Sequence, residues 1–431
     1  VIFLPAPFTL SQNSYQWLFL DLNSYFASVE QQDRPALRGK PIAITPLPSE
    51  STCAIAASYE AKAFGIRTGT KIYDARRMCP DLICVPARHD IYVKYHHKII
   101  EEVVKHTPIN KICSIDELSS RLPPNKCNKE AATELAGRIK AGIKQNVGSA
   151  IRCSIGIAPN AFLAKVATDM MKPDGLVVLD KENIVSRLFD LKLTDLPGIN
   201  VGMKTRLMKS GIYSVEQFWN LSPKHARAVW GGVQGERFWY RLHGYDIPDE
   251  ITHTSMIGHS RILDPELRIP DIAKQVARRL TIKAAGRLRR TPFYASEFAL
   301  SVREAGECGM KFSMARRVSP AQDNYSFLEA LEILWDEMTR SLNPWRIKKI
   351  NIALYNLHEA KNITPDLFEQ ESAQGTERQH KHETLSNLMD KINQKYGAEA
   401  IRLGVSPKTQ AGYVGTKIAF HHIPDMEEFN E

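Results

Sequence analysis

The amino-acid sequence predicts an α+β fold divided among several domains, and three observations lead there. Over roughly the first 180 residues, short strand-like runs alternate with amphipathic helical stretches, the pattern of a sheet covered by helices. From Lys181 to Glu250 the texture changes to short helices broken by Pro and Gly, and from Thr254 to Leu357 strand and helix patterns return. A length of 431 residues suits about three domains at roughly 150 residues each.

In order along the chain, WLFLDL (17–22), PIAIT (41–45), KICSID (111–116), IRCSIGIA (151–158) and GLVVL (175–179) read as strands, being β-branched-rich or alternating. Ile91–Val104 and Asn128–Val147 read as helices; in the second, Leu135, Ile139, Ile143 and Val147 recur four apart on one face. Later, Tyr294–Arg303 and Arg346–Leu357 read as strands. Ile272–Leu288 is a helix packing through Val276, Leu280 and Leu288, and Phe327–Leu342 one packing through Leu331, Leu334, Trp335 and Met338. The polar stretch after His358 reads as a mobile connection to a helix over Thr384–Tyr396 and a strand-like GTKIAF (415–420).

Hydrophobic residues at 43 % and charged residues at 24 % exclude a disordered or fibrous chain. No run reaches the ~18 apolar residues of a membrane span; Trp17–Leu22 already contains Asp21. The opening VIFLPAPFTL lacks a basic segment and a small-residue cleavage site, so no secretory signal is expected. Seven cysteines, an odd number without a CxxC pair, argue against a disulfide framework or structural zinc and for a cytoplasmic protein. The net charge of +9 points to a polyanionic partner, nucleic acid before membrane. Between Thr254 and Leu357 there are 17 Lys+Arg against 11 Asp+Glu, a surplus of six in about a quarter of the chain.

Two acidic sites stand out. Asp21 is the single charge in an apolar strand pattern, and Asp116 and Glu117 are adjacent in CSIDEL. A carboxylate in a buried strand is costly unless paired or bound to a cation. Three gathered together call for hard divalent ions such as Mg²⁺. The plainer alternative is that Asp21 ends a strand while Asp116 and Glu117 sit on a solvated hairpin tip. Successive strand residues point to opposite faces, so Asp116 and Glu117 share a site only if the strand bends or ends there.

FLDLNSYFASVE, ASYEAKAFGIRTGT, SIDE and CSIGIAPNAFLAKVATDMMKPDGL occur in this order. Together they resemble the Y-family (translesion) DNA polymerases, in particular the bacterial DinB/UmuC branch. The resemblance covers residues 17 to 250 by motif and 255 to 357 by layout. It implies a right-hand architecture: palm at 1–27 and 89–180, small fingers at 28–88, a helical thumb with a helix-hairpin-helix at 181–250, and an α/β little finger at 254–357. Residues 358–431 form a C-terminal extension with a candidate clamp-binding peptide. By matching motifs, Asp21, Asp116 and Glu117 are the catalytic carboxylates, holding two Mg²⁺ ions together with the Leu22 carbonyl. The implied reaction is template-directed addition of dNTPs to a primer 3′-hydroxyl opposite damaged template, at low fidelity and without proofreading.

For the nucleotide, the resemblance implies that Phe26 is the steric gate against ribose, and that Tyr59, Lys62 and Lys172 hold the triphosphate. The amides of Ser24, Tyr25 and Phe26 suit a phosphate nest. The family commonly has Arg where this chain has Lys62, a hydroxyl where it has Ala56, and Ala-aromatic-Leu-Asp where it has Leu118–Ser119–Ser120–Arg121. In LPGINVGMKTRL, Gly198, Gly202, Lys204 and Arg206 are expected to hold a DNA backbone phosphate, with Asn200 tolerating a left-handed backbone. Arg278, Arg279, Arg287, Arg289 and Arg290 on one helix and its end, with Arg316 and Arg317 in a later turn, are the expected second grip; a solvated face is the alternative for each. TPDLF (364–368) resembles a sliding-clamp peptide through Leu367 and Phe368, against the alternative that they dock on their own domain. Expected partners are primer-template DNA, dNTP, the clamp and other SOS-type accessory proteins. The competing function is a catalytically silent, polymerase-like accessory protein bridging DNA, clamp and another polymerase.

Overall fold

The computed structural model describes residues 15–46, 50, 52–250, 254–306, 309–362, 373–397, 400–401, 403–404, 423–424, 426 and 429, with backbone alone at 362 and 373–376. These fall into two compact units. One runs to Asp249 and takes in Ile423, Pro424, Met426 and Phe429; the other begins at Glu250.

In chain order the first unit contains β1 (Trp17–Leu22), α1 (Tyr25–Asp33), β2 (Ile42–Thr45), β3 (Ala56–Ala57), α2 (Tyr59–Ala63), α3 (Ile72–Met78), β4 (Ile83–Pro86), α4 (His89–Val104), β5 (Lys111–Ile112), β6 (Glu117–Arg121), α5 (Lys129–Gly142), β7 (Cys153–Ala158), α6 (Ala161–Met170) and β8 (Leu176–Val178). Five short helices follow: α7 (Ile184–Phe189), α8 (Val201–Lys209), α9 (Val215–Trp219), α10 (Pro223–Trp230) and α11 (Val233–Leu242). The main sheet has the order β5-β6-β1-β7-β8, and a small one the order β3-β2-β4.

β1 lies in the middle, antiparallel to both β6 and β7. Both its faces are covered, so it reads as an apolar run rather than an alternation. Leu18, Leu20 and Leu22 enter a core with Tyr92 and Val103 of α4 and Leu135 and Ile139 of α5. Phe19, pointing the other way, packs with Leu163, Ala164 and Ala167 of α6. Asp21 follows at the same period of two and so shares the α6 face. On β7 the residues toward α6 are small: Ser154, Gly156 and Ala158. A Cβ on Gly156 would lie 2.0 Å from the Ala164 carbonyl oxygen, so this helix reaches the sheet only over a glycine.

Two sequence expectations shift here. KICSID is not one strand: the chain turns at 113–116, with the amides of Cys113 and Ser114 donating to the Glu117 carbonyl, and β6 begins at Glu117. The helix expected over 128–147 loosens into a π-helical turn at Ile143–Val147. There the buried Glu102 accepts from Lys105, His106 and Asn146. Gly142 leaves room for that carboxylate; a Cβ would stand 2.2 Å from its Oε1.

The second unit contains β9 (Met256–Ile262), α12 (Pro270–Arg289), β10 (Phe293–Glu304), β11 (Lys311–Ala321), α13 (Asn324–Leu342), β12 (Ile347–Glu359) and α14 (Ala373–Tyr396). Its antiparallel sheet runs β11-β10-β12-β9. Phe298, Leu300, Val302, Ile350, Ile352 and Leu354 point to one face and form a core with Val276, Leu280, Leu331 and Leu334 of α12 and α13. α14 begins eleven residues before the expected Thr384, so part of the supposed connection is helical. It packs through Met389, and its Ser386 hydroxyl accepts from the Asn324 amide. TPDLF, with Leu367 and Phe368, and GTKIAF lie outside the described residues. No helix among the described residues is long and apolar enough to cross a membrane.

Candidate active site

The two acidic sites meet at one end of the main sheet. Asp21 stands directly opposite Glu117 in the β1–β6 register, and the next amide, that of Leu22, donates to the Asp116 carbonyl at 2.8 Å. Because β6 begins at Glu117, Asp116 belongs to the preceding turn and escapes the strand alternation that would send it to the far face. Ser114 holds its carboxylate, donating to Oδ1 at 2.5 Å.

Among the described residues no three His, Cys, Asp or Glu side chains are gathered as a metal-holding group. Two ammonium groups intervene. Lys165 of α6 is ion-paired with Asp21 and lies 2.7 Å from Glu117 and 3.6 Å from Asp169. Lys172 lies 2.7 Å from the other Asp21 oxygen and 2.8 Å from Asp169. Burial works to raise the Asp21 pKa, but Lys165 and Lys172 more than offset it and hold the carboxyl below its ordinary value. Asp116 and Glu117 are both raised, first by burial, with Asp21 adding repulsion.

The sequence reading missed Lys165 and Asp169. The signal was present in its own motif, since 165, 169 and 172 follow the helical spacing that shares one face. It also missed Asn23 and Ser154, which moor the Lys172 turn. The Asp174 amide donates to Asn23 Oδ1 at 2.7 Å, the Gly175 amide to Ser154 Oγ at 3.2 Å, and Asn23 donates to Ser154 at 3.1 Å.

After Asn23 the chain turns sharply. Ser24 adopts the left-handed conformation (φ 49°, ψ 46°) ahead of α1 and puts no side-chain cap on it, and the first amides of a helix have no partner within it. Tyr25 is buried and donates its hydroxyl to the Tyr92 carbonyl at 2.6 Å. Phe26 stacks on the Tyr92 ring with centroids 4.4 Å apart. Tyr92 in turn donates to Glu30, which a fork from Arg88 holds at 3.0 and 2.6 Å. The Phe26 ring is thus backed by an aromatic that is itself pinned. On α2, the Lys62 ammonium lies 4.4 Å above the Tyr59 ring. Burial, then the nearby Lys172, lowers the Lys62 pKa, so two cations from separate elements face one region.

The residues expected to meet DNA have different surroundings. Gly198 has φ +95° and turns the chain ahead of α8. Asn200, however, is extended rather than left-handed, and its side chain caps α8 by accepting from the Met203 amide. Gly202, Lys204 and Arg206 are exposed, and Arg206 also donates to the Trp230 carbonyl at 2.8 Å. In the second unit, α12 turns Lys274 and Arg278 to Glu332 of α13. Arg289, with its side chain 3 % exposed, forks onto Asp390 of α14 at 2.7 and 2.9 Å. Arg279 and Arg287 are part-buried and Arg290 is exposed. Arg316 and Arg317 lie on β11, an edge strand, and not in a turn; both are exposed.

The sheet carries further basic residues that the sequence did not single out beside Arg316 and Arg317. On the face away from α12 and α13, one row across the strands carries Lys311, Arg303 and Lys349, all exposed, and another carries Arg317. Between these rows lie small residues: Ser313, Ser301 and Asn351, then Ala315, Ala299, Ala353 and Gly258.

Known proteins with the same features are numerous. Residues 20–169 match the impB/mucB/samB family and residues 254–367 its C-terminal domain. DNA polymerase IV of Moorella thermoacetica is 30 % identical over 402 residues, spanning 90 % of this chain and 95 % of that protein. DNA polymerase IV 1 of Bacillus subtilis is 28 % identical over 396 residues, spanning 91 % and 93 %. Among solved structures, a Y-family DNA polymerase chimera shares the fold with a TM-score of 0.68 at 23 % identity, across 79 % of this chain and 99 % of that one. DinB from Sulfolobus solfataricus does so with a TM-score of 0.51 at 24 % identity and the same coverage. Matched along nine-tenths of its length and sharing the fold, the chain belongs to the Y-family DNA polymerases as a bacterial DinB-like member, a DNA-directed polymerase of the translesion type.

Proposed function

We propose that nucleotidyl transfer takes place at the end of the main sheet, where Asp21, Asp116 and Glu117 would hold two Mg²⁺ ions with the Leu22 carbonyl. The observation that carries this is the register that sets Asp21 across from Glu117 while the Leu22 amide binds the Asp116 carbonyl. The donor set fits a hard cation: all its atoms are oxygens, and burial raises the Asp116 and Glu117 carboxyls above their ordinary values. When bound, the ions supply acidification of the primer 3′-hydroxyl and neutralisation of charge on the transferring phosphate.

The remaining work falls to the chain's own groups. The amides of Ser24, Tyr25 and Phe26 suit phosphate oxygens, and Tyr59, Lys62 and Lys172 suit the β- and γ-phosphates. Phe26, braced by Tyr92, lies where a flat ring would meet a ribose 2′-hydroxyl. The domain reading is palm at 1–27 and 89–180, fingers at 28–88, thumb with helix-hairpin-helix at 181–250, little finger at 254–357 and an extension at 358–431. The free thiols of six cysteines support a cytoplasmic enzyme. The start of α8 and, separately, the basic open face of the second sheet would each suit the phosphates of primer-template DNA. The sliding clamp would bind TPDLF; deleting 364–368 should remove clamp stimulation and leave unassisted synthesis intact.

The silent-accessory reading is disfavoured by retention of all three carboxylates at one place. Primer extension with dNTPs and Mg²⁺, run beside Asp116→Ala, tests the assignment. Loss of extension by at least about 10²-fold is expected; extension that survives the substitution contradicts it.

A further inference from the structure

We infer that Lys165 is a resident counter-cation of the catalytic carboxylates, holding them together without metal and leaving when divalent ions enter. The inference rests on the metal assignment above and adds a competitor that the assignment does not require. Its basis is geometric. The Lys165 ammonium pairs with Asp21 and lies 2.7 Å from Glu117, between two of the three proposed ligands. It reaches them from α6, which Gly156 allows close to the sheet. Lysine suits an exchangeable place, being a compact charge on a flexible four-carbon stem.

The structure also provides somewhere for the ammonium to go. Asp169, one helical turn along α6 and 37 % exposed, already lies 3.6 Å from Lys165 and 2.8 Å from Lys172. Metal entry turns Lys165 from Asp21 and Glu117 toward Asp169 and releases Lys172 from Asp21 toward the incoming phosphates. Ammonium and metal compete for the same oxygens, so the apparent metal affinity is the intrinsic one reduced by the fraction of molecules whose carboxylates are uncovered.

The test is Mn²⁺ binding to the full-length protein without DNA or nucleotide, followed by electron paramagnetic resonance, with thermal melts in EDTA to check folding. Lys165→Met should bind Mn²⁺ about tenfold more tightly, as expected if the uncovered arrangement is populated at about a tenth. Lys165→Arg, which keeps the charge, should stay near the unaltered protein. Unchanged or weaker binding by Lys165→Met overturns the inference. If Asp116→Asn abolishes Mn²⁺ binding in the same series, the metal assignment survives that failure; if Asp116→Asn binds like the unaltered protein, the assignment itself has failed. A second measurement needs no variant. Saturating Mn²⁺ should raise acetylation of Lys165 by acetic anhydride several-fold in peptide mass spectra, and unchanged or reduced labelling overturns the inference.

Discussion

Asp21 and Glu117 face one another across neighbouring antiparallel strands, and the single ammonium of Lys165 serves both. Among the described residues Asp116 has no ion-pair partner, and its carboxyl is raised first by burial and further by Asp21. A raised carboxyl costs stability at neutral pH, because the folded state holds its proton over a pH window in which the unfolded state has released it. Asp116→Asn should therefore stabilise the metal-free protein, by on the order of 1 kcal/mol, while abolishing synthesis. Asp21, held low by two lysines, behaves oppositely: its stabilisation is present above the unfolded carboxyl value and is lost as pH falls through the folded one. Asp21→Asn should destabilise. Thermal melts of both variants in EDTA at pH 7 check the pair of signs.

The approach of α6 to the sheet depends on Gly156. An added methyl would meet the Ala164 carbonyl oxygen at 2.0 Å and the Ala167 Cβ at 2.8 Å, both fixed parts of the helix. Gly156→Ala should cost roughly 1–3 kcal/mol in urea denaturation. It should also reduce extension, because Lys165 and Asp169 move with the helix.

Phe26 stacks on Tyr92 and stands within two residues of the left-handed Ser24 turn. Phe26→Ala should raise ribonucleotide incorporation relative to deoxyribonucleotide by roughly 10- to 100-fold. The ratio of kcat/KM values for paired nucleotides reads this directly, and an unchanged ratio removes Phe26 from the gate.

Basic residues on the two faces of the second unit should separate by salt dependence. Replacing Arg303, Lys311 and Lys349 with alanine should weaken DNA binding for all sequences and flatten the salt slope by up to about three. Lys274→Ala with Arg278→Ala should leave the slope unchanged, since both side chains pair with Glu332. Titrations at several salt concentrations compare the two sets.

Much of this arrangement was legible in the chain. The apolar run of β1 with its one buried acid, the long helices α4, α12 and α13, and the strands β10 and β12 all carry strong periodicity. Less was legible where local pattern and long-range pairing disagree. KICSID is strand-like by composition, but it folds as a turn whose amides pair with Glu117. β11 is an edge strand with most side chains exposed, so it lacks the alternation that marks a strand with one buried face.

By itself the sequence determined the strongly periodic strands and helices, which acids are anomalous in an apolar setting, and, through its ordered motifs, the family. Those properties depend on residues near one another in the chain. Only the tertiary structure decided that Lys165 stands among the carboxylates, that Arg289 is tied to Asp390, and that Lys274 and Arg278 of α12 pair with Glu332 while Arg303, Lys311 and Lys349 lie exposed on the open sheet face. A charge is defined by its surroundings, and these partners are separated from it by 144 residues for Asp21 and Lys165 and by 101 for Arg289 and Asp390. Strand register and helix packing, not neighbouring sequence, bring them together.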